Sequence, residues 1–374
     1  METYNQGSKD VFLAKIRADF DAVEDQSLKG LKALMNYSLM GTDSMSDALY
    51  YRVGSTDENS DGRAVWRHIG TTAVKDTGTR TASGHYPEAE FIRTYETAVF
   101  DPDNQDANKI SVPEERLGKE SKQYAAALDR SAKILRDIDR KNVRDPFEVF
   151  NLSFTAPSSY QTSGSGARFF AKGNLGLDGN NTALGERLVS IQHARADAGT
   201  TQSNALQTSG NARTFSDEAY YAARELGSTF KSDVGKEMPG FGGRMSVVLP
   251  TQNGLVRSAM EIDGSDLKVN TAENNVNVQK GLLLDIISSP FMNASAYDTS
   301  IANPTQYFFV DNADRDEKTG CGLICIDFIP TTTKVQRLEE TDNIVYKIKQ
   351  SKMYGFSDWR NIIGSNGTGA AYSS

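Results

Sequence analysis

At 374 residues, with 38% hydrophobic and 24% charged side chains, the chain has room for two or three cores on a prior of roughly 150 residues per domain, which excludes a peptide or a tail. Two cysteines, Cys321 and Cys325, cannot supply a disulfide framework, and four residues apart in a strand-like run they lie too far apart to bridge. The 49 acidic against 41 basic residues give a net charge of -8, which argues against affinity built on clustered lysine and arginine for phosphate backbones.

The chain starts Met1-Glu2-Thr3-Tyr4-Asn5, without a basic region or an apolar run, and no stretch approaches the roughly 20 apolar residues that span a bilayer. Neither a signal peptide nor a membrane partner is expected. Lys9 to Met35 places Val11, Phe12, Ile16, Phe20, Val23, Leu28, Leu31 and Leu34 at mostly helical spacings, predicting one or two amphipathic helices. A Gly, Ser, Thr and Asp cluster at Gly41 to Asp47 and a polar stretch at Gly54 to Gly62 set this arm apart from the remainder of the chain.

From Arg63 to Phe100 the pattern is extended. Ala64 to Ile69 and Phe91 to Phe100 read as two strands around a polar tip, a ribbon with too few apolar residues for a core of its own. Glu114 to about Asp145 predicts the longest helix, with Tyr124, Leu128, Ser131, Leu135 and Ile138 on one face and Pro146 ending the pattern. Its basic residues alternate with acidic ones, as on a solvated face.

Between Thr155 and Asn211 glycine, serine, threonine, asparagine and alanine dominate, with apolar islands at Phe169-Phe170 and Leu188-Val189. So long a stretch is either disordered or a surface loop pinned by contacts, and the aromatic pair favours pinning. Ser216 to Phe230 predicts a helix with Ser216 as N-cap and Asp217 and Glu218 in the first turn. Val247 to Leu249, Leu282 to Ile287, Tyr307 to Val310 and Leu323 to Ile326 then read as short buried strands, with a helical stretch at Asn253 to Met260 among them. Ile344 to Gln350 alternates, which predicts one solvated face, and the small polar tail after Gly364 is expected to be mobile.

Little in the chain points to chemistry. His68, His85 and His193 stand without metal-ligand spacing, so no metal site is assigned. Ser190, His193 and Asp197 compose a triad only on paper, since no nucleophile elbow surrounds Ser190, and His193 reads as a polar loop residue. Gly164-Ser165-Gly166 and Gly240-Phe241-Gly242-Gly243 lack the lysine and hydroxyl of a phosphate loop. The cysteine pair sits in an apolar run, where cysteine behaves as a small hydrophobe. No catalytic residue and no cofactor is assigned.

Several segments, taken in order, resemble the major capsid protein of tailed bacteriophages, with the Hong Kong 97-type fold. They are Arg187-Leu188-Val189-Ser190-Ile191-Gln192-His193, Ser203-Asn204, Thr214-Phe215-Ser216-Asp217-Glu218-Ala219, Met245-Ser246-Val247-Val248-Leu249-Pro250 and Leu255 to Ile262. Val276-Asn277-Val278, Ile286-Ile287-Ser288-Ser289-Pro290-Phe291 and Tyr307-Phe308-Phe309-Val310-Asp311 complete the series. These landmarks cover roughly Ile110 to Gly364; Phe291 stands where the family usually has tyrosine and Tyr307 where it has tryptophan.

The resemblance implies an α+β fold with an N-terminal arm (1–55), an extended E-loop hairpin (56–105) and a P-domain (106–243) with a spine helix at about 114–145. It further implies an A-domain (244–340) and a return strand to the P-domain with the C-terminal tail (341–374). It implies no enzyme but a homo-oligomer, in which hexamers and pentamers close an icosahedral shell around double-stranded DNA held by non-specific contacts. Portal and scaffolding proteins are expected partners, a decoration protein a possible one, and the virion, assembled in the host cytoplasm, the location. The ribbon then finds support across an adjacent subunit. An encapsulin-like compartment shell shares this fold and is the alternative, with a Ser190–His193 hydrolase behind it.

Overall fold

A computed structural model of the chain describes residues 49–54, 63–67, 95–99, 106–113, 137–138, 140–155, 169–170, 187–193, 201–232, 235, 237–238, 245–251, 254–266, 276–277, 280–296, 300–311, 322–338, 343–356 and 358–372. The arm helices at Lys9 to Met35, the ribbon tip and most of the helix expected over 114–145 lie outside them.

In chain order the first strands are β1 (Tyr51–Gly54), β2 (Arg63–Arg67), β3 (Tyr95–Val99) and β4 (Asp106–Pro113). Helix α1 (140–151) precedes β5 (Phe169–Phe170), β6 (Gln207–Thr208) and β7 (Asn211–Ala212). Then come α2 (Asp217–Ser228), β8 (Met245–Pro250), α3 (Leu255–Gly264) and β9 (Leu283–Ser289). The chain closes through β10 (Tyr307–Asp311), β11 (Leu323–Leu338), β12 (Asn343–Phe356) and β13 (Ile362–Ser365).

The larger sheet is built on a long antiparallel hairpin of β11 and β12. β1 adds in parallel to the start of β11, while β4 and the short β5 share the far side of β12. Alternation along β11 divides two cores: Ile324, Ile326 and Phe328 gather with Val53 and Met353, whereas Leu323 and Cys325 join Tyr354 and Phe356. β5 is the Phe169-Phe170 island, and Leu188 and Val189 are also buried, so the glycine-rich stretch is pinned at both places. The described parts of the ribbon, β2 and β3, pair antiparallel from Arg63 opposite Val99 to Arg67 opposite Tyr95.

The smaller sheet runs β13-β10-β8-β9, with β8 and β9 parallel and joined through α3. Val247, Leu249, Tyr307, Phe309 and Ile363 form one core with Ala219, Tyr220 and Ala223 of α2 and Ala259 of α3. Val248, Phe308, Val310 and Ile362 belong to the other core, with Phe147 and Phe150 at α1 and with the larger sheet. A sheet covered on both faces needs apolar residues at every position, which is why these strands read as continuous runs. α2 starts as expected: the Ser216 side chain accepts a hydrogen bond from Ala219 N, with Asp217 and Glu218 in the first turn.

Four expectations are corrected. First, α1 runs on through Pro146 to residue 151. A proline inside a helix costs about 3 kcal/mol, and burial of Phe147, Val149 and Phe150 behind it offsets that cost. Second, β11 does not stop at Ile326 but runs on to Leu338, 16 residues in all, with register shifts between Asp327 and Thr332 that accommodate Pro330. Third, α3 spans Leu255–Gly264, later than the stretch ending at Met260.

Fourth, the tail after Gly364 is built into the fold. Ala212 N donates to Ala370 O, Thr305 Oγ1 to Asn366 O and the Tyr372 hydroxyl to Leu206 O. Gly367 takes φ +68°, and a Cβ there would sit 2.1 Å from Thr305 O, so only glycine fits. The small polar residues serve close backbone approach, not mobility.

The seam between α1 and the larger sheet titrates unusually. Burial pushes the Cys325 thiol up to about 12, and burial likewise holds the Tyr50 and Tyr354 phenols well above the ordinary tyrosine value. Tyr50 donates to Pro146 O at 2.5 Å and meets Tyr354 edge-on at 5.5 Å. Such raised acids stabilise the fold fully below their unfolded values, near 9 for the thiol and 10 for the phenols, and that contribution is lost as pH rises toward about 12. Alkaline titration should therefore give cooperative unfolding between these limits, with late phenolate absorbance appearing in the same step. Phenolates that all ionise near 10 in a protein that stays folded would contradict this.

Candidate functional site

The landmarks of the resemblance meet in space at two buried polar clusters. At the first, Asn204, with no solvent exposure, ties together segments far apart in sequence. Its Nδ2 donates to Leu188 O at 2.8 Å, Ile362 O at 3.0 Å and Trp359 O at 3.4 Å. Its Oδ1 accepts from Ser190 N at 2.9 Å and faces His193 Nε2 at 2.9 Å. Carbonyls can only accept and a backbone N–H can only donate, so these partners fix the amide orientation. It follows that His193 Nε2 carries a proton and donates it.

His193 stacks flat on Trp359, with ring centroids 4.1 Å apart at 9°, and Phe230 meets the same indole edge-on at 5.2 Å. The Arg360 guanidinium lies 4.7 Å from the Trp359 ring centroid. Arg360 Nη1 donates to Asp358 Oδ2 at 2.7 Å, Arg360 N donates to Asp358 Oδ1 at 2.8 Å, and Arg360 Nε donates to Lys231 O at 2.9 Å. Both side chains of this pair are essentially without exposure, 1% and 0%. Backbone pairing of His193 with Gln202, and of Leu206 and Asn204 with Gly364, completes the junction.

The second cluster anchors α1 to the turn after β9. Glu148 accepts from the Ser295 hydroxyl, from Ala296 N at 3.0 Å and from Asn151 Nδ2 at 3.1 Å. Asn151 Nδ2 also donates to Phe291 O and Ala294 O, and Gln306 Nε2 donates to Asn151 Oδ1 and Met292 O. Ser289, of the Ser-Pro-Phe landmark, accepts from Phe291 N within that turn. Away from both clusters, Asn277 Nδ2 donates to Ile262 O and Ser265 O, closing the C-terminal end of α3.

These groups are arranged to hold segments together, and the polar side chains of Asn204, Glu148 and Asn151 are buried. Ser190 Oγ accepts from Gln192 N, His193 is only 1% exposed with Nε2 engaged by Asn204, and Asp197 lies outside the described residues. His193 is therefore a core residue rather than the polar loop residue expected. His68, His85, Cys321 and both glycine-rich pieces also lie outside the described residues. Among the described residues no cluster of His, Cys, Asp or Glu is placed to hold a metal ion, and no helix is long and apolar enough to cross a membrane. Glu148, Asn151, Gln306, Asp358 and Arg360 do not stand out in the sequence. An acid flanked by Phe147 and Phe150 is the one available signal.

No protein-family model and no curated protein matches the chain. Among solved structures it is similar to the capsid of an empty GTA particle, at 10% identity over 87% of this chain and 90% of that one, with a TM-score of 0.42. It is also similar to the capsid of Ralstonia phage GP4, at 10% identity over 84% and 86% of the two chains and a TM-score of 0.40. A third similar structure is a virus-like particle from Pyrococcus furiosus, at 9% identity over 94% and 98% and a TM-score of 0.36.

Proposed function

We propose that the chain is the major capsid protein of a tailed double-stranded DNA bacteriophage, a structural, non-enzymatic subunit whose hexamers and pentamers close an icosahedral shell. What supports the reading is the order of the landmarks and their convergence. His193 meets Asn204, Met245–Pro250 and Tyr307–Asp311 are neighbouring strands, and Asn277 caps α3. Spread over more than a hundred residues, these motifs are buried in the interior instead of scattering over a surface.

In this reading residues 1–55 are the arm and 56–105 the E-loop, with β2 and β3 at its base. Residues 106–243 are the P-domain with its spine helix at about 114–145, 244–340 the A-domain, and 341–374 the return strand and C-terminal tail. A portal and a scaffolding protein are the partners this function calls for, with a decoration protein as a further one. DNA inside is met by non-specific contacts, and assembly takes place in the host cytoplasm before the subunit resides in the virion.

The test is light scattering with negative-stain microscopy on the purified chain, expressed alone and with any adjacent scaffold-like gene. Hollow shells or ring-shaped capsomers are the expected result. A monodisperse monomer or dimer under every condition would overturn the reading.

A further inference from the structure

The sequence contains two Asn-Gly pairs, Asn253-Gly254 and Asn366-Gly367. Glycine has no Cβ, so the backbone nitrogen after the asparagine is unhindered. In an open chain that nitrogen can attack the side-chain amide before it. At the second pair the Gly367 N–Asn366 Cγ bond forms, the Cγ–Nδ2 bond breaks, and ammonia leaves with the proton from Gly367 N. Water then opens the cyclic imide at either carbonyl, giving aspartate or isoaspartate. Asn253 lies outside the described residues, whereas Asn366 stands in a strap formed by residues 365–372, the part of the tail that is built into the fold.

In the folded chain both reacting groups are engaged elsewhere. Asn366 Oδ1 accepts from Thr368 N at 3.1 Å and from Thr368 Oγ1 at 2.9 Å, which turns the side-chain amide toward residue 368. Gly367 N donates to Ser365 Oγ at 3.1 Å, and that hydroxyl donates to Arg213 O at 2.7 Å. Ring closure removes the Gly367 proton, and with it the bond to Ser365, and draws Cγ back onto the nitrogen. The strap itself is held at few points: Thr305 Oγ1 donates to Asn366 O at 2.8 Å, Ala212 N to Ala370 O at 2.8 Å and the Tyr372 hydroxyl to Leu206 O at 2.9 Å. The Tyr372 ring also stacks on Phe154 at 6.0 Å. Between these points Thr368 to Ala371 are exposed, and segments with few buried contacts open at low free energy.

We propose that Asn366 is a deamidation site gated by this strap: while the strap is seated the pair is withheld from cyclising, and once it is released the pair converts to a product that cannot reseat. That product is isoaspartate, which routes the main chain through Cβ and so lengthens the backbone between residues 366 and 367. The fit leaves no room for the extra carbon, because a Cβ on Gly367 would already sit 2.1 Å from Thr305 O. Aspartate keeps the backbone unchanged, and its carboxylate can still accept from Thr368 N and Oγ1. A subunit whose strap stays open too long is thereby shut out of the native fold. The inference goes beyond the shell reading and does not depend on it.

The test follows deamidation at residue 366 by peptide mass spectrometry at mildly alkaline pH. It compares folded wild type, wild type in denaturant, a synthetic peptide of residues 360–372 and folded Thr305→Val/Tyr372→Leu. Folded wild type should react at least about tenfold more slowly than the peptide, since reaction waits on local opening. Denatured wild type should match the peptide. The double variant loses two of the strap's hydrogen bonds and its ring stack, and should react several-fold faster than folded wild type. Should that variant not fold, wild type alone decides: its rate should climb in denaturant below the global unfolding transition. In chains aged in denaturant and then refolded, the isoaspartate fraction should be cut by protease within 366–372, while Asn366→Asp should resist as the wild type does. Folded wild type reacting at the peptide's rate would overturn the inference, as would a folded double variant no faster than wild type. A rate tied to global unfolding alone, or isoaspartate chains as resistant as Asn366→Asp, would do the same.

Discussion

Asp358→Ala should cost about 3–5 kcal/mol, because it leaves the Arg360 guanidinium buried without its carboxylate. Both members of the pair are at or below 1% side-chain exposure, so water cannot take the place of the lost partner. Against a total stability of roughly 5–15 kcal/mol for a typical domain, that loss is a large fraction of the whole. Arg360→Met alone should be similarly severe, since Asp358 would lose the buried guanidinium that donates to it at 2.7 Å. Removing both charges together, as Asp358→Leu/Arg360→Met, should cost less than the two single changes combined, because no buried charge is then left unpaired. Denaturant midpoints of the four proteins measure this directly. Additive losses would mean that the pair acts as two separate anchors.

The second large effect is expected at Asn204. Asn204→Ala strips partners from Ser190 N, His193 Nε2 and the carbonyls of Leu188 and Ile362. With each buried donor left unmade costing about 1–3 kcal/mol, a total loss of about 3 kcal/mol or more is expected. Asn204→Asp should be no better despite its matching shape, since a carboxylate oxygen would then face carbonyl oxygens where the amide donates. Thermal unfolding checks both variants, and loss of the His193–Trp359 stack should appear as a shift in tryptophan fluorescence. An aspartate variant as stable as the wild type would mean that the amide orientation is not fixed by those carbonyls.

Much of the fold is legible in the sequence because it depends on local pattern. The buried strands at Val247 to Leu249 and Tyr307 to Val310 announce themselves as apolar runs, and α2 by its serine cap. The same local logic misreads Pro146 and the C-terminal tail. A proline signals a helix end unless burial beyond it outweighs its cost, and a glycine-rich tail signals mobility unless a neighbouring backbone needs the room. Neither condition is visible within a few residues of the position concerned.

The polar clusters mark the deeper limit. Ser203-Asn204 and His193 stand out as landmarks of a resemblance, yet nothing local indicates that Asn204 spans from Leu188 to Ile362. Glu148 and Gln306, or Arg360 over Trp359, read in sequence as ordinary polar residues.

The sequence by itself determined the apolar periodicity, the caps, the acidic balance and the landmark order, all properties carried by neighbouring residues. Only the tertiary structure decided which polar groups are buried together, where β11 runs past its proline, and which strands pair with which. Hydrogen bonds and sheet register join residues that are distant along the chain. Their partners are therefore set by how the cores close, and not by anything a local pattern contains.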